Sequence, residues 1–432
     1  MSKTSDRCTP YLAGAVVIDV EDARQFVLSG LTALAPTEMT LADALGCVAN
    51  DEVLAREMVP GFANSSMDGF ALRAADTAAG RATLIVMGSL LAGGVPSGRV
   101  EAGHAMRIMT GAPMPEGADS VCMIEQTVVD SVAGTVEISR SLALGENVRY
   151  AGEDVKVGQT LVRSGDELDA IRLGVLAGQG FASVRAITRP RVAVLSTGNE
   201  LVSSGEALRH GEIRDTNRPT LVALLREAGF TPVDVGAVRD EYDEIRSTFE
   251  RVAHECDAII STGGVSVGDV DHVKGVITEL GGATAKSMQV AVRPGKPFAF
   301  GRVGPRRVPA FGLPGNPVST RVSFELFVRP ALRLLGGHRD IQRLCVDAVL
   351  DCALPRSKDG KLHVVHASAR FHDDGRVHVE SVVRPGSHLM SAVAGANALA
   401  LVPDGDGYES GEVVPVMILN TDALAHPRDE AM

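Results

Sequence analysis

Two stretches of the chain run from a short apolar segment into Ser-Thr-Gly and then toward an acid. "RVAVL" leads into "STGNE", Ser196 to Glu200, and "CDAII" leads into "STGGVSVGDVD", Ser261 to Asp271. Glycines after a buried strand let the backbone approach a phosphate closely, and a helix N-terminus beyond them favours an anion. Ser196, Thr197, Gly198, Ser261, Gly263, Gly264 and Ser266 are therefore candidate substrate contacts. Glu200 and Asp271 have the wrong charge for phosphate, and make sense if a divalent cation bridges them to it. Asp240, in "AVRDEYDE", follows a third apolar run and joins them as a candidate ligand. Either loop alone is also what a turn and a helix cap require. Three carboxylates expected at one sheet edge point instead to phosphate chemistry.

Two further turns carry suitable donors. "VAVRPGKPFAFG" sets Arg293 and Lys296 around a Pro-Gly turn between two short strands, an arrangement that suits an oxyanion or phosphate as well as open solvent. In "FGLPGNPVST", Pro314, Gly315 and Asn316 precede a helix and offer backbone and amide donors, or a plain N-cap. "NSSMDGFA", with Asp68, and "MTGAPMPEGAD", with Thr110, read by themselves as ordinary turns.

The elements that must position these residues alternate. From Arg189 onward the chain reads strand, loop, helix: "RVAVLS", "TNRPTLVALLREAG", "TPVDVGAV", "EYDEIRSTFERVAHEC", "DAIIS", "DHVKGVITELGG". That rhythm predicts a doubly wound, mainly parallel α/β domain over 189–333, with ligands beyond the carboxyl ends of its strands. Before it, "DVEDARQFVLSGL" has a helical apolar face of Ala23, Phe26, Val27 and Leu31, and "TLADALGCVANDEVLA" continues in helical manner before turning extended. Gly and Pro punctuate short β-like runs over 57–150. Helical and extended segments in 1–56 and 151–188 form a discontinuous linker domain around that β insert. Period-two runs such as "LHVVHASARF" predict a C-terminal β domain over 334–432.

Composition narrows the class. The 432 residues are too many for a single core, and the 45% apolar and 22% charged content are those of a folded protein. A formal net charge of −12 argues against nucleic-acid binding, which relies on Lys and Arg. The cysteines at 8, 47, 122, 256, 345 and 352 form no CxxC and no zinc spacing, as expected of reduced thiols. No apolar run approaches the ~18 residues of a membrane span. A cytoplasmic protein without membrane association is expected.

The stretches "NSSMDGFA", "TGAPMPEGADSV", "AGEDVKVGQ", "STGNEL", "IRDTNRP", "STGGVSVGDVDHVK", "RPGKPFAFG" and "GLPGNPVS" occur together and in this order. The set resembles the molybdopterin molybdenumtransferases, the MoeA family, related to the E domain of gephyrin. The resemblance covers about 18 to 416. It implies four domains, an elongated homodimer, and a cleft shared between the α/β domain of one subunit and the β insert of the other. It also implies a reaction in which adenylylated molybdopterin and molybdate, with Mg²⁺, yield molybdenum cofactor and AMP. A molybdopterin adenylyltransferase would act upstream. Asp68, Thr110, Glu200, Asp240 and Asp271 match the family's functional positions, with Asp68 and Thr110 reaching from the second subunit. Arg293 and Lys296 match basic positions assigned to molybdate or the terminal phosphate, and Arg384 belongs to a shortened "VVRPGSH" segment. No cysteine falls in a matched motif. The chain departs from many relatives at Asn199, where Asp is frequent, and at Arg293, where Lys is common. A non-catalytic molybdopterin-binding carrier or scaffold is the alternative reading.

Overall fold

The computed structural model describes residues 17–265, 271–382 and 390–424. The chain divides into two compact units. One consists of Glu38–Leu45 and Ala49–Arg185, the other of Met1–Thr37, Gly46–Val48 and Ala186–Met432.

The smaller unit is built on a six-stranded sheet in the order Thr127–Asp130, Thr135–Ile138, Ala82–Leu90, His104–Ile108, Gly69–Leu72, Ser120–Met123. Alternation sorts its side chains: Phe70 and Leu72 enter one core with Leu84, Cys122 and Val136, while Ala71 faces a second core with Met106, Ile108 and Val121. Gly69 is required where it stands, because a Cβ there would collide with the Cys122 carbonyl. The helix Ala170–Gly178 starts at Asp169, whose carboxylate accepts from Arg172 N at 2.7 Å. The helical continuation expected around Leu41 does not form: Leu41–Gly46 are turns. The Thr40 hydroxyl donates to Asp43 at 2.7 Å and accepts from Asp43 N at 3.2 Å. These local bonds close a turn in place of the helical ladder, and Gly46 turns away at φ +74°.

The larger unit holds a seven-stranded sheet in the order Val17–Ile18, Lys286–Val290, Pro297–Val303, Val308–Leu313, Ala258–Thr262, Arg191–Thr197, Thr231–Val238. The last four run parallel, and Pro297–Val303 is antiparallel to both neighbours. Arg191–Thr197 shows why an apolar run was needed. Val192 and Val194 enter one core with Leu221, Leu225 and Phe311; Ala193 and Leu195 enter the opposite core with Phe249, Val276 and Ile277. A strand covered by helices on both faces has no solvent side to alternate with. The long helix after Leu313 is interrupted by a π segment, Phe324–Val328, between Pro317–Ser323 and Arg329–Leu335. Pro330, which has no N–H to donate, lies in the first turn after that segment, which begins at Arg329.

Strands of the C-terminal region close a barrel. Leu362–Phe371 pairs with both Val377–Ser381 and Ala398–Val402, and Cys345–Leu350 with Val413–Ile418 complete the ring. Small residues (Ala348, Ala367, Ala369, Ala398, Ala400) fill its narrow interior with Leu350 and Ile418. Val292–Arg293 adds in parallel to Leu362–His363, which ties the Arg293–Lys296 turn to a barrel strand. Among the described residues no helix is long and apolar enough to cross a membrane.

Candidate active site

Sheet register decides which loops meet. Thr197 pairs with Val238, Ser196 with Thr262, and Thr262 with Leu313. The segments beginning at Gly198, Arg239, Gly263 and Pro314 therefore leave one edge of the sheet side by side. Gly263, at φ +92°, lets its loop fold against Thr197, whose carbonyl a Cβ would strike. A Cβ on Gly315 would lie 3.6 Å from Gly263 Cα, so the third loop is also close.

Side chains stitch these loops together. Ser196 Oγ donates to Asp215 Oδ2 at 2.7 Å. Asn217 donates to Thr262 Oγ1 at 2.8 Å and to Gly315 O at 2.7 Å. Asn316 caps the next helix by accepting from Val318 N at 3.3 Å. Asp215, Asn217 and Thr262 were not among the expected site residues. They lie in motifs already noted, and their signal is three short polar side chains facing strand-end hydroxyls and carbonyls. The edge keeps buried polar atoms that have no partner among the described residues: Thr197 Oγ1, Ser261 Oγ and Asn217 Oδ1. Such atoms are rare in folded proteins unless a ligand or water satisfies them.

The acids follow the same pattern. Asp271 is the N-cap of helix His272–Gly281, accepting from Lys274 N at 3.2 Å through Oδ1. Its Oδ2 and Asp240 Oδ1 are buried and unpartnered. Burial, with the nearby Asp240 charge adding to it, raises the Asp271 carboxyl to about 6, against the opposing pull of Lys274. Asp240 N donates to Asn199 Oδ1 at 3.3 Å, so the Asn199 departure has a positioning contact. Glu200 is exposed and folds back over Gly198, where a Cβ would be 2.7 Å from Oε1. The three carboxylates share the edge without forming a closed ligand set. Among the described residues, the group of three with ligand atoms all within 4.8 Å is His372, Asp374 and His378, elsewhere in the fold.

Arg293 and Lys296 border a cavity of about 1150 Å³ between their turn and the barrel, shared with Ser319, Arg356, Lys361 and His366. The Arg356 side chain is 3% exposed and is braced by Asp404 at 2.7 Å and Asp359 at 2.8 Å. His366 Nε2 is buried without a partner, and burial followed by the Arg321 charge pushes its pKa down to about 4. The wall thus combines cationic side chains with a neutral imidazole. Arg356, Lys361 and His366 escaped sequence reasoning because barrel closure brings them to a turn some 60 to 70 residues away in the chain, and Ser319 because the helix Pro317–Ser323 carries it there.

In the smaller unit, Asp68 Oδ1 accepts from Thr110 N at 2.7 Å and from Thr110 Oγ1 at 2.8 Å. The backbone N–H, then the hydroxyl, hold the Asp68 carboxyl below its ordinary value. Both residues are exposed, so the pair is an anchored, ionised carboxylate open to solvent. Ser266 and Arg384 lie outside the described residues. Burial raises the thiols of Cys122, Cys256 and Cys345, which makes them poor nucleophiles.

Three family models match in succession: the MoeA N-terminal region (domain I and II) at 18–180, a probable molybdopterin binding domain at 193–334, and the MoeA C-terminal region (domain IV) at 348–419. A molybdopterin molybdenumtransferase of Haemophilus influenzae is 34% identical over 94% of this chain and 99% of its own. Molybdopterin molybdenumtransferase 2 of Mycobacterium tuberculosis is 36% identical over 89% and 95% respectively. A crystal structure of the molybdopterin biosynthesis moeA protein from Pyrococcus horikoshii OT3 superposes with a TM-score of 0.76 at 26% identity, covering 93% of this chain and 100% of that one.

Proposed function

The chain belongs to the family of molybdopterin molybdenumtransferases, and on that premise we propose that it cleaves adenylylated molybdopterin, ligates molybdate to the dithiolene sulfurs and releases AMP. The observation that carries the site assignment is the pair of buried, unpartnered oxygens, Asp240 Oδ1 and Asp271 Oδ2, on the edge formed by the Ser-Thr-Gly loops.

Two bare carboxylate oxygens in a partly buried crevice fit a hard divalent cation. Asp240 and Asp271, with Glu200 as a third donor, would hold it. Mg²⁺ there would offset charge on the diphosphate and on the departing AMP. The chain's own groups do the rest. Thr197, Ser261 and the backbone N–H groups of glycines 198, 264 and 315 grip phosphate oxygens, while Asn217 and Gly263 hold the loops in place. Pro314 and Asn316 fix the third loop against them, and Ser266 is a further substrate contact. Water or molybdate attacks the diphosphate, so no covalent nucleophile is needed. Arg293, Lys296, Arg356 and Lys361 supply the positive wall for molybdate, a compact dianion, and Arg384 is a further oxyanion contact.

Asp68 and Thr110 act on the site of a second copy of the chain in a homodimer. Their mutual bonds keep the carboxylate charged and aimed, as a water-orienting group must be. The upstream partner is a molybdopterin adenylyltransferase, and the reaction takes place in the cytoplasm.

Purified protein with Mg²⁺ and adenylylated molybdopterin is expected to release AMP when molybdate is added, with activated cofactor as co-product. Tight pterin binding with no AMP release would reject the transferase and leave a carrier.

A further inference from the structure

The hairpin joining barrel strands Leu362–Phe371 and Val377–Ser381 reads His-Asp-Asp-Gly-Arg over 372–376, and the proposed reaction makes no use of it. His372 N donates to Arg376 O at 2.9 Å and Gly375 N to His372 O at 2.9 Å, with Gly375 at φ +78°. This tight turn lays the His372 ring over His378, their centroids 4.4 Å apart. Asp374 reaches both rings: Oδ2 is 3.2 Å from His378 Nε2, and Oδ1 is 3.9 Å from His372 Nδ1. One ligand atom from each of the three lies within 4.8 Å of the others.

A second contact gives this cluster a direction. His378 Nδ1 lies 2.7 Å from Asp351 Oδ1, and Arg370 holds the other Asp351 oxygen at 3.1 Å. A carboxylate fixed in that way keeps the proton on Nδ1 and turns Nε2 outward, toward Asp374. Metal-binding histidines are oriented by such a carboxylate on the far ring nitrogen. The ordinary explanation is an imidazolium held between two aspartates. It accounts for Asp351 and Asp374 but gives the stacked His372 ring no task.

We propose that His372, Asp374 and His378 form a binding site for a borderline divalent cation such as Zn²⁺, with a fourth position open to water. Two imidazoles and one carboxylate match the preferences of late first-row ions and not those of Mg²⁺, which takes oxygen donors. The ligand atoms draw together by about an ångström or more to reach Zn–N distances near 2.0–2.1 Å, a motion the exposed turn allows. Binding joins the end of one barrel strand to the start of the next. Occupancy therefore stabilises the folded barrel by mass action. The site lies apart from the sheet-edge carboxylates.

The test is a Co²⁺ titration of the full-length, tag-free protein read by visible d–d absorption, followed by Zn²⁺ competition in a calorimeter. Wild type is expected to show a Co²⁺ band that saturates and is displaced by Zn²⁺. His372→Ala and His378→Ala lose that band. Asp351→Asn, which keeps all three ligands, binds about 10–100-fold more weakly. Zn²⁺ raises the melting temperature of wild type but not that of His372→Ala, whose metal-free melting temperature matches wild type because the ring is exposed. No Co²⁺ band in wild type, or a His372→Ala titration that overlays wild type, overturns the proposal.

Discussion

Two clusters of buried polar groups lie within a few residues of each other in the α/β sheet, and they are built on opposite terms. Around Asp215 every contact closes. Asp215 is 4% exposed and accepts from Ser196 Oγ, from Arg218 Nε at 2.8 Å and from Arg218 N at 3.1 Å, while Arg218 also grips Asp234 at 2.6 Å. At the carboxyl edge, Thr197 Oγ1, Ser261 Oγ, Asp240 Oδ1 and Asp271 Oδ2 have no partner among the described residues. A buried polar atom without a partner costs about 1–3 kcal/mol. The satisfied cluster holds the strand end in place, and the unsatisfied one is shaped for something that arrives.

The sharpest break of this contrast is on the satisfied side. Asp215→Ala leaves the Arg218 guanidinium short of one buried counter-charge and is expected to destabilise the larger unit by about 3 kcal/mol, read by urea unfolding. A loss below about 0.5 kcal/mol would mean that the network holds nothing. Next in size is His366, an unpartnered group in the cavity wall. Its folded pKa of about 4 lies below the unfolded value near 6.5. The neutral ring's contribution is complete above pH 6.5 and is lost as pH falls from there toward 4. His366→Gln should flatten that fall by about 2 kcal/mol, compared by denaturation at pH 7 and pH 4.5. Equal slopes in both proteins would remove His366 from the acid response.

Lys296→Gln removes one cation from the cavity while leaving the sheet edge intact. The molybdate concentration for half-maximal cofactor formation should rise about tenfold, equivalent to about 1.4 kcal/mol. AMP release measured in the same titration separates a binding defect from a folding defect. Smallest is the metal-free stability of Asp271→Asn. Because burial raises the Asp271 pKa from 3.8 to about 6, stability is lost as pH rises from about 4 to about 6, and the full cost is present above that value. The amide still caps the helix, so the variant should melt slightly higher than wild type at pH 7 without Mg²⁺, by roughly 1 kcal/mol. It should also lose most of the Mg²⁺-dependent stabilisation.

The two clusters were unequally legible in the sequence. The Ser-Thr-Gly loops stood out because each follows an uninterrupted apolar strand, and Asp240 could be assigned to the same edge from the βα rhythm. Asp215 and Asn217 were hidden in "RDTNRP", which reads as a helix start; only strand register reveals that they face Ser196 and Thr262. The Asp68–Thr110 bond spans 42 positions and has no local signature. Period two identified the barrel strands but not their closure, because alternation says which face is apolar and not which edges pair. The misreading at Leu41 came from apolar spacing that fitted a helix where Thr40 and Asp43 spend their side chains on a turn.

The most direct test compares wild type and Asp271→Asn in AMP release from adenylylated molybdopterin, with Mg²⁺ and molybdate, after both proteins are shown to be folded to the same extent. The account predicts molybdate-dependent release by wild type and a loss of about 100-fold or more in the variant, the scale expected when a group acting on the reacting phosphate is removed. Turnover by Asp271→Asn at the wild-type rate would contradict it, and would make the bare carboxylates of the sheet edge a feature of the fold alone.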